Sequence, residues 1–124
     1  MKRLSRSGIE YVLNPDGKQG YSWGVYSGCE NQMTEICPVP NCWARSVTER
    51  FPAVYPEGFN PHIYPEALLS PLGVKKPATI TVGWTGDLIG YADPNQVVNY
   101  GIGRGFFGRV LSFIIDQCPQ HRFL

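Results

Sequence analysis

No stretch of this chain approaches the roughly 20 consecutive apolar residues of a membrane span. Its short basic start (Lys2, Arg3, Arg6) also lacks the apolar run of a secretion signal. No membrane partner is expected, and a cytoplasmic setting is. Charge is scarce: only 17% of residues are Asp, Glu, Lys or Arg, and the net charge is +1. That leaves no global electrostatic case for nucleic acid or for an acidic membrane surface. Histidine is limited to His62 and His121, and no Ser–His–Asp arrangement can be argued. Glu10, Glu30, Glu35 and Glu49 show no pairing that marks acid–base catalysis. At 124 residues the chain can build one domain with one core, residues 1–124, and not two.

What is present is a globular balance, 43% apolar, with 14 Gly and 11 Pro spread among aromatic residues. Gly and Pro exceed the roughly 12% of average usage, which suits a loop-rich α/β protein whose loops bind or react. Tyr21–Tyr26 is rich in β-forming residues and bounded by Gly20 and Gly28, which predicts a short strand. Pro38 and Pro40 prevent a helix from starting before Asn41, a good N-cap. Trp43, Val47 and Phe51 then fall on one helical face up to Pro52. Residues 52–77 read as connection, with one short helix between Pro65 and Leu72, and Lys75–Lys76 as a solvated edge. Thr79–Trp84 alternates strictly and predicts a strand with Ile80, Val82 and Trp84 on one side.

The polar, Gly-bearing stretch from Asp93 to Arg104 reads as loop. Phe106, Phe107, Val110, Leu111, Phe113 and Ile114 predict an amphipathic helix ending near Cys118–Pro119. His121–Leu124 opens a third strand. This β-α-β-α-β alternation is that of a parallel sheet. A complete (β/α) barrel needs about 200 residues or more. The expectation is therefore an α/β fold, a partial (β/α) barrel-like parallel sheet truncated after its third strand. A compact open sheet of three strands is the alternative.

Three of the four cysteines crowd into one segment as C-x7-C-x4-C: Cys29, Cys37 and Cys42. Crowding away from Cys118, in a chain with no secretion signal, favours a metal site over a disulfide framework. Thiolates bind soft and borderline metals. A helix N-terminus beside Cys42 would stabilise its anion. Three ligands leave one position open, as in reactive rather than closed structural sites. The spacing is not a standard zinc signature, and a fourth ligand would come from His62, His121 or Cys118. Unligated structural thiols are the competing reading.

The pieces Ser7–Tyr11, Tyr26–Cys29, Cys42–Ala44, Thr48–Phe51, Tyr64–Glu66, Lys76–Pro77, Gly86–Leu88 and Gln117–His121 occur in an order that resembles a phage-associated three-cysteine-motif family. That family, a domain of unknown function, is spread among phages and bacteria, and its members continue past this point. The resemblance implies a radical-SAM-like partial barrel in which Cys29, Cys37 and Cys42 hold a [4Fe–4S] cluster after the first strand. S-adenosylmethionine would bind the free iron and be cleaved reductively. Trp43, next to the third cysteine, would shield the cluster and the adenine. Gly86 and Asp87, past the end of the second strand, resemble the segment that accepts hydrogen bonds from the methionine amine. A plain Gly-Asp turn is the other reading of that pair.

The spacing here is longer than the C-x3-C-x2-C of most radical-SAM enzymes, and the aromatic follows the last cysteine instead of preceding it. A nucleic acid substrate is conceivable from the phage association, though no residue names one. The zinc alternative is a structural or interaction module, and a third reading is an inactive fragment. Gly103–Gly108 matches G-x-G-x-x-G but follows no clear strand, so it reads as a mobile lead-in to the second helix. His121 reads as a strand-edge histidine bonded to backbone. The tyrosines read as packing and loop residues.

Overall fold

The β-branched run Thr79–Val82 forms a strand at the heart of the molecule (β5), flanked on both sides by other strands. In the computed structural model, which describes residues 4–29, 37, 40–83 and 104–124, a four-stranded sheet has the order β1-β2-β5-β6. Its members are β1 (Leu4–Arg6), β2 (Tyr21–Trp23), β5 and β6 (Arg122–Phe123). Strands β2, β5 and β6 are parallel, with Tyr21 opposite Ile80 and Thr79 opposite Arg122. Each is the next parallel strand in chain order, as the alternation of elements predicts. Closed barrel geometry is absent among the described residues.

Two features correct the expected strand pattern. The first strand is β1, which pairs antiparallel with β2 through Leu4–Trp23 and Arg6–Tyr21. The segment between them doubles back through a turn: Gly17 N–H donates to Asn14 C=O at 2.9 Å, and Gly17 takes the positive φ (80°) that a side chain would resist. The run Tyr21–Tyr26 also divides. It leaves the main sheet after Trp23 and resumes as β3 (Tyr26–Ser27), paired antiparallel with β4 (His62–Ile63) in a second, two-stranded sheet.

The helices are α1 (Trp43–Arg50) and α2 (Arg104–Asp116). Their orientations differ from expectation. In α1 the fully buried side chain is Thr48, while Trp43 and Phe51 are exposed. In α2 Leu111 and Ile114 enter the core, and Phe113 stays 62% exposed. A helix face wide enough to include Phe113 would need cover on two sides. Among the described residues the sheet takes only the Leu111–Ile114 side. Arg104 already belongs to α2, so the glycines at 105 and 108 lie within the helix rather than in a lead-in loop. Between Pro65 and Gly73 there are two 3₁₀ turns, Pro65–Ala67 and Ser70–Gly73, each with proline at its start, in place of one α-helix.

The core gathers Trp23, Val25, Tyr26, Ile63, Tyr64, Ala67, Ala78, Ile80, Leu111 and Ile114. Trp23 joins the two sheets' surroundings: its indole N–H donates to Ala67 C=O at 2.7 Å, across 44 residues of sequence. Burying that ring with its polar edge satisfied contributes on the order of 3 kcal/mol or more. Thr79, Ile80 and Thr81 are all buried, so both faces of β5 are covered and the expected two-sided alternation is not a wet-and-dry one. No helix among the described residues is long and apolar enough to cross a membrane.

Candidate metal centre

Gly28 decides where the cysteine segment leaves the fold. It has φ +82°, and a Cβ there would collide with the backbone of Phe59 and Asn60. Only glycine lets the chain turn at that point while pressed against the neighbouring loop. The next residue, Cys29, is then fixed by its N–H donating to Phe59 C=O at 3.3 Å. The segment that begins there returns at Cys42, which caps α1.

Cys42, not Asn41, is the N-cap residue, with extended backbone (φ −81°, ψ 123°) and no side-chain cap bond. A thiol is a poor acceptor, so it leaves N–H groups of the first turn without the oxygen that Asn would have offered. Its carbonyl is used instead by Ser46, whose backbone N–H and Oγ both donate to it at 3.1 Å. One turn into α1, the Arg45 guanidinium lies over the Phe59 ring, 5.7 Å from its centroid. Phe59 therefore touches both ends of the segment: its carbonyl holds Cys29, and its ring holds the first turn behind Cys42. Cys29, Cys37 and Cys42 are all outside disulfides and half-buried.

Convergence is a different matter. Among the described residues, no three His, Cys, Asp or Glu side chains are grouped closely enough to hold a metal ion. By donor chemistry the set fits a thiolate-held metal, with three cysteines on one segment and one of them at a helix N-terminus. By position it is not assembled. Trp43 stands 58% exposed beside Cys42. Gly86 and Asp87 lie outside the described residues.

The three candidate fourth ligands separate clearly. His121 is a structural residue, buried, with Nδ1 accepting from Ala78 N–H at 3.1 Å and Nε2 facing Pro71 C=O at 3.2 Å. With Nδ1 accepting from a backbone N–H, Nε2 faces the carbonyl, so both nitrogens are engaged by backbone. Cys118 is buried behind α2, just ahead of β6 at the amino ends of the parallel strands. Burial pushes its thiol pKa up, away from the thiolate that binds metals. His62 differs from both. It pairs with Ser27 in the β3–β4 ladder, two residues before Cys29, and its ring meets Tyr64 edge-on at 4.6 Å.

Phe59, Arg45 and Gly28 are the positions that sequence reasoning missed. Gly28, directly before a cysteine and between strand and loop, carried a readable signal of a left-handed turn. Phe59 carried none, because its role depends on a contact across 30 residues. No family model, curated protein or solved structure matches the chain.

Proposed function

We propose that this chain binds a [4Fe–4S] cluster through Cys29, Cys37 and Cys42, as the N-terminal part of a radical-SAM-like partial barrel. The observation that carries the reading is the double use of Phe59, which ties the residue after Gly28 and the first turn of α1 to one anchor. Both ends of a three-thiol segment are thereby held at one side of the fold. The parallel strands β2, β5 and β6 follow one another in chain order, as successive βα units of such a barrel do. The resemblance to the three-cysteine-motif family supports the same ligand set.

When bound, a site-differentiated cluster supplies one-electron chemistry and an open iron for a ligand such as S-adenosylmethionine. The chain's own contributions are local. Gly28 turns Cys29 toward the segment, the α1 N-terminus presents its first-turn N–H groups beside Cys42, and Trp43 provides an exposed ring to cover the metal. Because the thiols are not grouped in the described arrangement, loading draws them together. Anaerobic reconstitution of the full chain with iron and sulfide should give a brown protein with broad absorption near ~400 nm. The C29S/C37S/C42S variant should stay colourless. A colourless wild-type product that takes up zinc instead overturns the cluster reading.

A second reading rests on His62, whose register with Ser27 sets it near the start of the cysteine segment. The three thiolates and His62 would then hold a structural zinc, in a module with no reaction of its own. That reading expects chelation to unfold the domain and His62→Ala to weaken zinc uptake. In the cluster reading the same substitution leaves iron uptake unchanged.

A further inference from the structure

At the opposite end of the parallel strands from the cysteine segment, a cleft of about 90 Å³ opens beneath the Asn14–Gly17 turn. Arg6, Lys18 and Lys76 line it, against a single carboxylate, Asp16. The chain as a whole carries a net charge of only +1, so positive charge is concentrated here beyond what composition suggests. Among the described residues no carboxylate engages any of the three cations in an ion pair. Asp16 is already used, since its Oδ1 accepts the Lys18 backbone N–H at 3.0 Å within the turn.

The walls are held by hydrogen bonds that do not depend on a ligand. Asn14 Oδ1 accepts from Thr79 N–H at 2.9 Å, and its Nδ2 donates to Gln19 C=O at 3.2 Å, fixing the turn to the first residue of β5. Behind Lys76–Pro77, Ala78 N–H is held by His121. Arg6 is oriented twice. Its guanidinium stacks over the Tyr21 ring at 4.5 Å, and one Nη donates to Gln19 C=O at 2.7 Å. A guanidinium has five N–H donors, so most of its planar fork is left to meet something else.

We infer that this cleft binds one phosphate group. Size limits the occupant: pockets that enclose a whole drug-sized ligand run to roughly 300 Å³ or more, whereas about 90 Å³ is the space of a few waters. Charge selects among small anions. A phosphate bears about −1.5 to −2 at neutral pH and presents three or more acceptor oxygens, which suits a pre-set guanidinium fork flanked by two ammonium groups. A carboxylate or chloride brings a single charge to the same three cations. The site is independent of the cysteine segment and stands whether or not a metal binds there.

Titration of the full chain with inorganic phosphate, followed by amide NMR at constant ionic strength, tests it. Saturable shifts confined to Arg6, Asn14–Gln19 and Lys76–Ala78 are expected, with acetate and chloride giving none at matched ionic strength. Glycerol phosphate as a parallel probe distinguishes sources: equal or tighter binding points to the end group of a larger molecule, and weaker binding to the free anion. R6A/K76A should weaken phosphate at least tenfold with unchanged circular dichroism. Should that pair unfold, the single variants R6K and K76M serve, each expected to weaken binding severalfold. Diffuse or unsaturable shifts, equal response to chloride, or unchanged affinity in the folded variants would overturn the inference.

Discussion

The two ends of the parallel strands are built by different means. At the amino end, backbone groups are tied by side chains reaching across the chain: His121 joins Ala78 to Pro71, Asn14 joins Thr79 to Gln19, and Gln19 Nε2 donates to the carbonyls of Ile9 and Val12. At the other end, Phe59 holds both Cys29 and the first turn of α1, and Gly28 stands where no side chain would fit. The first end resists change because many bonds must fail together. The second depends at Gly28 on a close backbone approach that only glycine allows, and its three thiols are outside any disulfide.

Substitutions can break this contrast, and the largest effect is expected at the tied end. His121→Ala strands a buried N–H at Ala78 and a carbonyl at Pro71, at about 1–3 kcal/mol for each. Urea unfolding should show that loss, with metal uptake per folded molecule unchanged. Gly28→Ala comes next. The strained φ alone costs about 1–3 kcal/mol, and the collision with Asn60 forces the loop to move. Here iron uptake should fall together with stability, since Cys29 is displaced from Phe59.

Cys42→Ser sharpens the contrast by moving the two properties apart. Serine at the N-cap accepts from the first-turn N–H groups that the thiol leaves unmet. Stability should therefore rise by up to about 1 kcal/mol, while iron or zinc uptake drops. Equal loss of both would show that Cys42 packs as a structural thiol. The smallest effect concerns pH. Cys118 has its folded pKa raised by burial, so the folded state favours the neutral thiol. Its contribution is present below the unfolded thiol value and is lost as pH climbs through that value toward the raised folded one. Unfolding curves from neutral to strongly alkaline pH should show this decline, and Cys118→Ala should flatten it. A thiol reagent at neutral pH should label the three half-buried cysteines well before Cys118.

Periodicity carried much of the fold. Thr79–Val82, α1 and α2 lie where alternation or helical spacing puts them, because each spans enough residues to repeat its pattern. Leu4–Arg6 has three residues and no repeat, so the first strand was invisible. Its existence depends on Tyr21–Trp23 offering an edge. The break after Trp23 was hidden for the opposite reason, since Val25 and Tyr26 continue a β-rich composition while changing partner from β5 to β4. Outward-facing Trp43, Phe51 and Phe113 show the limit of reading burial from hydrophobicity. A stripe predicts which residues share a face and not whether anything covers it. At the site, the thiols were legible as a cluster in sequence, and His121 as a backbone-bonded strand-edge residue. Phe59 was not, because the contact that matters is tertiary.

Strand β1 has a topological consequence. A strand has two hydrogen-bonding edges, and both edges of β2 are filled, by β1 on one side and β5 on the other. Among the described residues, β6 is the one outer edge that belongs to the parallel set, and the other outer edge is that of β1. A ring that returned to its origin would have to meet the antiparallel β1 and could never meet β2. So long as those three residues stay paired, extension of this sheet yields an open arc, with a gap or a mixed seam where an all-parallel barrel would close.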